Sequence, residues 1–321
     1  MATGLLQDID ELIGIGPIDV FFCCSGFEDR SSILPVAVSK RLVERVYVAC
    51  HQDYEEQSIP SMEKIKNAFR DNAKIFETNT SNPLVTADRL SELVQQTFVG
   101  APKRVVIDIT AFTREALVMF IRLLRNFKRK SDLCQLIYLG AREYSVGDPK
   151  PEKWLSKGIR EVRSVLGFAG EIYPSRKNHL IILLGFEDQR ALSLVRECEP
   201  SRISIGICDG SVSYTAPHQE TNIECFTRLA SFVKEAGAFV FDGYDPMSAA
   251  SKIIELDRQY SDFNTIVAPM NTKISTVGAA LAAIKQESIQ LCYAQANIYN
   301  VERYSAVSDE VFIFELDFEA W

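Results

Sequence analysis

The chain has 321 residues, 47% of them apolar and 24% charged, with a formal net charge of −8. This is the balance of an ordinary soluble globular protein at about twice the usual domain length, so two domains are expected. A negative chain argues against general binding of duplex nucleic acid, which needs a basic face, and is compatible with a small anion held in a local pocket.

Residues 18–26, IDVFFCCSG, are a compact β-branched and aromatic run that predicts a strand. Helical spacing follows in DRSSILPVAVSKRLV, with Pro35 in its opening turns or bending it, and RVYVACH (45–51) predicts a second strand. SMEKIKNAFRD reads as a helix, AKIFETNT as a strand and PLVTADRLSELVQQTF as an amphipathic helix. RVVIDIT (104–110) is a fourth strand, TREALVMFIRLLRNF a long apolar helix and CQLIYLG (134–140) a fifth strand. From about 145 to 176, VGDPKPEKW and a helix-like KGIREVRSVLG read as a crossover or small appendage.

The second half repeats this order, from HLIILLG and DQRALSLVREC to NTIVAPMNT, KISTVGAALAAIKQ and IQLCYAQA. The C-terminal EVFIFELDFEAW reads as an extra strand, antiparallel at a sheet edge. Apolar strands without alternation, separated by helices, mean parallel sheets covered on both faces. The expected fold class is α/β: two tandem Rossmann-like three-layer domains, 1–175 and 176–321. Gly26 and Gly185, each opening a Gly-Phe-Glu-Asp turn, lie 159 residues apart, as do Thr113-Arg114 and Thr272-Lys273. One shared offset for two motif pairs points to an internal duplication, packed with pseudo-twofold symmetry.

Eight cysteines show no CxxC spacing and three histidines are scattered, so neither a metal site nor a disulfide framework is expected, and no cofactor either. The acidic start MATGLLQDIDELIGIG lacks a basic n-region, and no apolar run reaches membrane-span length. A cytoplasmic protein without membrane contact is the expectation.

In open α/β sheets ligands bind beyond the carboxyl ends of the strands, where both repeated motifs fall. After the first strand come Gly26, Glu28, Asp29, Arg30 and Ser31, and their counterparts Gly185, Glu187 and Asp188. After the fourth come Thr110, Thr113 and Arg114, and then Asn271, Thr272, Lys273 and Ser275. A hydroxyl and a basic side chain at a helix N-terminus favour an anion, because free N–H groups and the helix dipole add to the side-chain charge. The plainer reading has Asp29 and Asp188 capping the helices they precede, Glu28 and Glu187 favouring the dipole, and the threonines acting as caps. A catalytic reading pairs Glu28 or Asp29 with Asp108 as acid and base in the first half alone, since Val267 replaces Asp108 in the second. No GxGxxG, GxxxxGK[ST] or GxSxG is present to support a dinucleotide site, a P-loop or a hydrolase elbow.

The segments IDITAFTREALVMF and APMNTKISTVGAALAA resemble the Asp/Asn-x-Thr-Gly-Gly-Thr-Lys signature that follows strand four in CRISPR-associated Rossmann fold sensor domains. Ala111-Phe112 and Met270-Asn271 stand where that signature has its glycines. The resemblance implies a sensor subunit for a small phosphorylated or nucleotide ligand in a bacterial defence or stress system, acting through a protein effector. Two alternatives stand beside it: a structural interaction subunit without ligand, and an enzyme cleaving a glycosidic or phosphoester bond in the first-half crevice.

Overall fold

The computed structural model describes residues 1–146, 153–210, 215–233 and 236–319. Two compact units divide the chain, Met1–Tyr144 with Val301–Trp321, and Ser145–Asn300. The division differs from a boundary near 175: residues 145–175 cluster with the second unit and the C-terminal segment with the first. Residues 147–152, within the expected crossover, lie outside the described residues.

The first unit begins with β1 (Ala2–Leu5) and α1 (Ile9–Ile13). It continues through β2 (Ile18–Cys24), α2 (Arg30–Val38), β3 (Val43–His51), α3 (Glu55–Phe69) and β4 (Ala73–Thr78). Next come α4 (Pro83–Thr97), β5 (Arg104–Asp108), α5 (Arg114–Phe127) and β6 (Leu133–Tyr144). The second unit runs through β7 (Ser156–Ser164), β8 (Asn178–Leu183), α6 (Asp188–Cys198), β9 (Arg202–Cys208), α7 (Ala216–Phe232) and β10 (Gly237–Phe241). It closes with α8 (Pro246–Gln259), β11 (Asn264–Pro269), α9 (Lys273–Lys285) and β12 (Gln290–Tyr299); β13 (Ser305–Glu315) then returns to the first unit.

Each unit is a mostly parallel sheet flanked by helices. The parallel strands lie in the order β4-β3-β2-β5-β6 in the first unit and β10-β9-β8-β11-β12 in the second, so both follow the same 3-2-1-4-5 pattern. The central strands are apolar on both faces: Phe21, Phe22, Cys23 and Cys24 of β2 are all buried, as are Leu180–Leu183 of β8. The order reverses between β2 and β5, and between β8 and β11, which places a topological switch point beside each GFED turn.

Outside each fifth strand lies one antiparallel neighbour, β13 on β6 and β7 on β12. Each therefore joins the sheet opposite to the one its preceding strand belongs to. β13 lies between β1 and β6 and so is not the edge strand expected from the sequence. The segment KGIREVRSV, expected to be helical, is mainly the strand β7. Its ladder with β12 shifts by one residue: Glu161 faces Gln295, Ile159 faces Ala296, and Arg160 is left over as a bulge. The extra residue turns Ile159 and Val162 toward the same apolar core, a three-residue spacing that imitates a helix.

Candidate functional site

The two GFED turns build the same brace. In the first unit Arg30, at the start of α2, is buried; its Nε donates to Glu28 at 2.8 Å and its guanidinium to the Leu139 carbonyl of β6 at 3.2 Å. The Ser305 hydroxyl, at the start of β13, donates to the same Glu28 carboxylate. In the second unit Arg190 donates to Glu187 at 2.6 Å and to the Ala294 carbonyl of β12, while Ser156, at the start of β7, donates to Glu187. Leu139 and Ala294 hold matching places in QLIYLGAREY (135–144) and QLCYAQANIY (290–299), a repeat at an offset of 155. That second repeat was the sequence signal for the partners of the Arg–Glu pairs.

Other members of the turns are also engaged internally. Ser31 Oγ donates to the Glu28 carbonyl at 2.6 Å, and the Gly26 amide donates to Ser61 at 3.0 Å. A Cβ on Gly185 would collide with the Met270 carbonyl, so glycine there permits close approach of the β8 and β11 tips. The expected aspartate caps are not formed. Asp29 is exposed, already helical in its backbone, and makes no capping bond. Asp188 lies inside α6 and pairs with Arg228 at 2.9 Å. Phe27 packs edge-on against Tyr54 and Tyr304, with ring centroids 5.5 and 5.6 Å away, while Phe186 packs on His218 at 5.5 Å.

At the fourth-strand tips the threonines are caps. Thr113 accepts from the Ala116 amide at 3.2 Å and Thr272 from the Ser275 amide at 3.0 Å. Thr110 Oγ1 accepts from the Leu139 amide at 3.0 Å, and Ser275 Oγ donates to the Thr272 carbonyl at 3.0 Å. Asn271 donates to the Leu184 carbonyl at 2.6 Å. Arg114 and Lys273 open α5 and α9 and are half-buried.

Asp108 is buried. Its Oδ1 accepts from the Thr110 amide at 2.9 Å, and its Oδ2 has no hydrogen-bond partner among the described residues. Burial pushes its carboxyl up to about 7, against the lowering effect of the Thr110 hydrogen bonds and the Arg30 charge. Glu28 is paired with Arg30 at 2.8 Å and accepts from the Ser305 hydroxyl. On β3, His51, which the sequence suggests is a core or surface residue, has Nε2 3.4 Å from Cys24 Sγ and Nδ1 against Thr78 Oγ1.

A cavity of about 980 Å³ opens in the second unit beside its GFED turn. Phe186, Glu187, Asp188, Gln189 and Arg190 contribute from that turn and the start of α6, with Arg228 of α7, Trp154 just before β7, and Ser156 and Lys157 at its start. Lys157 Nζ sits 4.3 Å from the centre of the Trp154 ring. With Lys153, four basic side chains face three acidic ones, a local excess of positive charge in a chain of net −8. The cavity takes in Glu187 and Asp188 from the expected site residues, but not Asn271, Thr272, Lys273 or Ser275. Trp154, Lys157 and Arg228 were missed because they lie outside the repeated motifs. Among the described residues no cluster of three or more His, Cys, Asp or Glu is placed to hold a metal ion, and no helix is long and apolar enough to cross a membrane.

No family model and no curated protein matches the chain. Solved structures similar to it include a DhpI–SAH complex, at 13% identity over 43% of this chain and 57% of that one, with a TM-score of 0.23. Another is phosphoethanolamine N-methyltransferase 1 of Haemonchus contortus, in complex with phosphoethanolamine and S-adenosylhomocysteine. It is 10% identical over 82% of this chain and 72% of that one, with a TM-score of 0.28. The cytoplasmic domain of a prokaryotic cation chloride cotransporter matches at 10% identity over 90% and 98%, with a TM-score of 0.25. Similarity this low carries no argument about ligand or reaction.

Proposed function

We propose that the protein is a binding subunit for a small phosphorylated or nucleotide ligand, held in the second-unit cavity, and that it signals through a protein effector. The observation that carries this reading is the combination of size and lining. A volume of about 980 Å³ lies within the range of small-molecule sites, which run to roughly 1,000 Å³. Trp154 and Phe186 offer aromatic surface to a planar base, and Lys153, Lys157 and Arg228 offer charge to a phosphate. Resemblance of the strand-four segments to nucleotide-sensor domains agrees with the same class of ligand. The matched strand order and Glu–Arg braces support reading the halves as copies, with binding specialised in the second.

Calorimetric titration against cyclic and linear nucleotides tests it. Charge-assisted contacts are worth about 1.5–3 kcal/mol each, so Lys157→Ala and Arg228→Ala are each expected to weaken binding tenfold or more. If the phosphate instead lies at the helix N-termini, Arg114→Ala and Lys273→Ala carry the loss. Absence of heat with every nucleotide sinks the proposal.

One observation favours a second reading, cleavage of a glycosidic or phosphoester bond in the first unit. Asp108 has a carboxyl pushed up to about 7, in range for a proton donor at neutral pH. Product formed from a nucleotide by the wild type and lost in Asp108→Asn would select this reading.

A further inference from the structure

Cys24, His51 and Thr78 are the last residues of β2, β3 and β4, three neighbouring parallel strands, and form a row across the carboxyl edge of the first sheet. Cys24 Sγ lies 3.4 Å from His51 Nε2, and His51 Nδ1 lies against Thr78 Oγ1. The Thr78 hydroxyl gives its single hydrogen to the Cys50 carbonyl at 3.3 Å. Its oxygen therefore accepts from Nδ1, which leaves the Nε2 lone pair facing the thiol. A base oriented by a third group and directed at a thiol is the arrangement that activates a sulfur nucleophile. Packing alone does not call for these three residues. Ladder register pairs Cys24 with Ala49 and His51 with Thr78, and in the second unit Leu183 with Gly206 and Cys208 with Phe241. The corresponding places in the second sheet are thus held by Leu183, Cys208 and Phe241, equally buried and without a base or a hydroxyl.

We propose that Cys24 is a peroxide-reactive thiol, with His51 as its base and Thr78 as the residue that positions the imidazole. This rests on the strand-tip row alone and is independent of the ligand reading above. Size selects the oxidant. Cys24 is 1% exposed and His51 7%, surroundings that suit a reagent little larger than water rather than a bulky ester or disulfide.

In the resting chain the Cys24 thiol donates to the Ser25 carbonyl at 3.2 Å. As hydrogen peroxide arrives, His51 Nε2 takes the thiol proton and the sulfur attacks one peroxide oxygen, breaking the O–O bond. The departing hydroxide takes that proton from the imidazolium and leaves as water. Sulfur gives up two electrons and becomes the sulfenic acid Cys24–SOH, while one peroxide is reduced and one water is released. The hydrogen of the new S–OH group is the one its oxygen carried in the peroxide.

The test exposes the folded full-length protein to hydrogen peroxide at stepped times and stops the reaction with catalase. Samples are unfolded in the presence of dimedone, which traps sulfenic acids, and iodoacetamide, which caps remaining thiols, and are mapped by peptide mass spectrometry. Cys24 is expected to take dimedone at least tenfold faster than any other cysteine, including the half-exposed Cys198. Unfolding in dithiothreitol instead is expected to return Cys24 to an alkylatable thiol, as a sulfenic acid requires. His51→Ala and His51→Gln are expected to slow Cys24 oxidation about a hundredfold, the scale of general-base assistance. Their remaining rate is expected to climb steadily with pH, as for a thiol without a base. Thr78→Val is expected to slow the reaction and Thr78→Ser to retain it. The order of labelling within the wild-type chain needs no variant, so it decides even where a substitution unfolds the protein. The proposal is overturned if another cysteine is labelled first or equally fast, if Cys24 stays reduced throughout, or if folded His51 variants oxidise Cys24 at the wild-type rate.

Discussion

Arg30 donates to the carbonyl oxygen of Leu139 at 3.2 Å, tying the first helix of the first sheet to its fifth strand. The bond recurs in the second unit between Arg190 and Ala294, and in each case a glutamate of the GFED turn holds the arginine in place. A turn written twice in the chain thus has the same mechanical role in both units, joining the first strand, the fifth strand and the antiparallel strand beyond it.

Stability is expected to depend on that brace. Removing one partner of a buried ion pair leaves the other charge buried, at a cost of roughly 3–5 kcal/mol. Arg30→Ala and Arg190→Ala are expected to lose that much in urea denaturation followed by circular dichroism. Ser305→Ala and Ser156→Ala, each removing one hydrogen bond to a charged group, are expected to cost about 1.5–3 kcal/mol. Midpoints unchanged in the arginine variants would contradict the brace.

The caps give a different pattern. Thr113→Ala and Thr272→Ala each lose the acceptor for an amide of the first turn and are expected to cost about 1 kcal/mol. Asp29→Ala is expected to leave the melting temperature in place, because its carboxylate is exposed and caps nothing. Asp188→Ala breaks a pair whose arginine is half-exposed, so its cost stays within about 1 kcal/mol. Thermal melts of the four variants measured together check the ranking.

Asp108 sets a pH dependence with a definite sign. Its folded carboxyl lies near 7, above the ordinary value of 3.8, because it is buried. Its contribution to stability is therefore fully present below about pH 4 and is lost as pH rises through 7. Asp108→Asn is expected to flatten the stability profile across that window, measured by denaturation at stepped pH. An unchanged slope would mean that another group governs it.

Much of the architecture was legible from residues. The five parallel strands of each unit follow from short apolar runs between amphipathic helices, as in VFFCC and LIILL. The exchanged outer strands were not, since pairing of β13 with β6 joins residues 161 to 180 positions apart and leaves no local mark. At β7 the bulge at Arg160 gave Ile159 and Val162 the spacing of a helix. Of the site, the GFED residues were visible as a repeat, but a repeat alone does not separate bracing from binding. Burial decides that for Glu28 and Arg30, which spend their charges on each other. The cavity's Lys157 enters from β7, and Trp154 from just before it, a strand whose place in the sheet depends on non-local pairing with β12.

The most direct measurement of ligand binding in the second unit uses Trp154 itself. The chain has two tryptophans, so Trp321→Phe leaves Trp154 as the sole reporter, half-exposed in the cavity. Fluorescence titration with the same nucleotides is predicted to give a saturable change, shifted to at least tenfold higher concentration by Lys157→Ala. Fluorescence that stays constant up to millimolar nucleotide, or a change that Lys157→Ala leaves in place, would contradict a nucleotide site in this cavity.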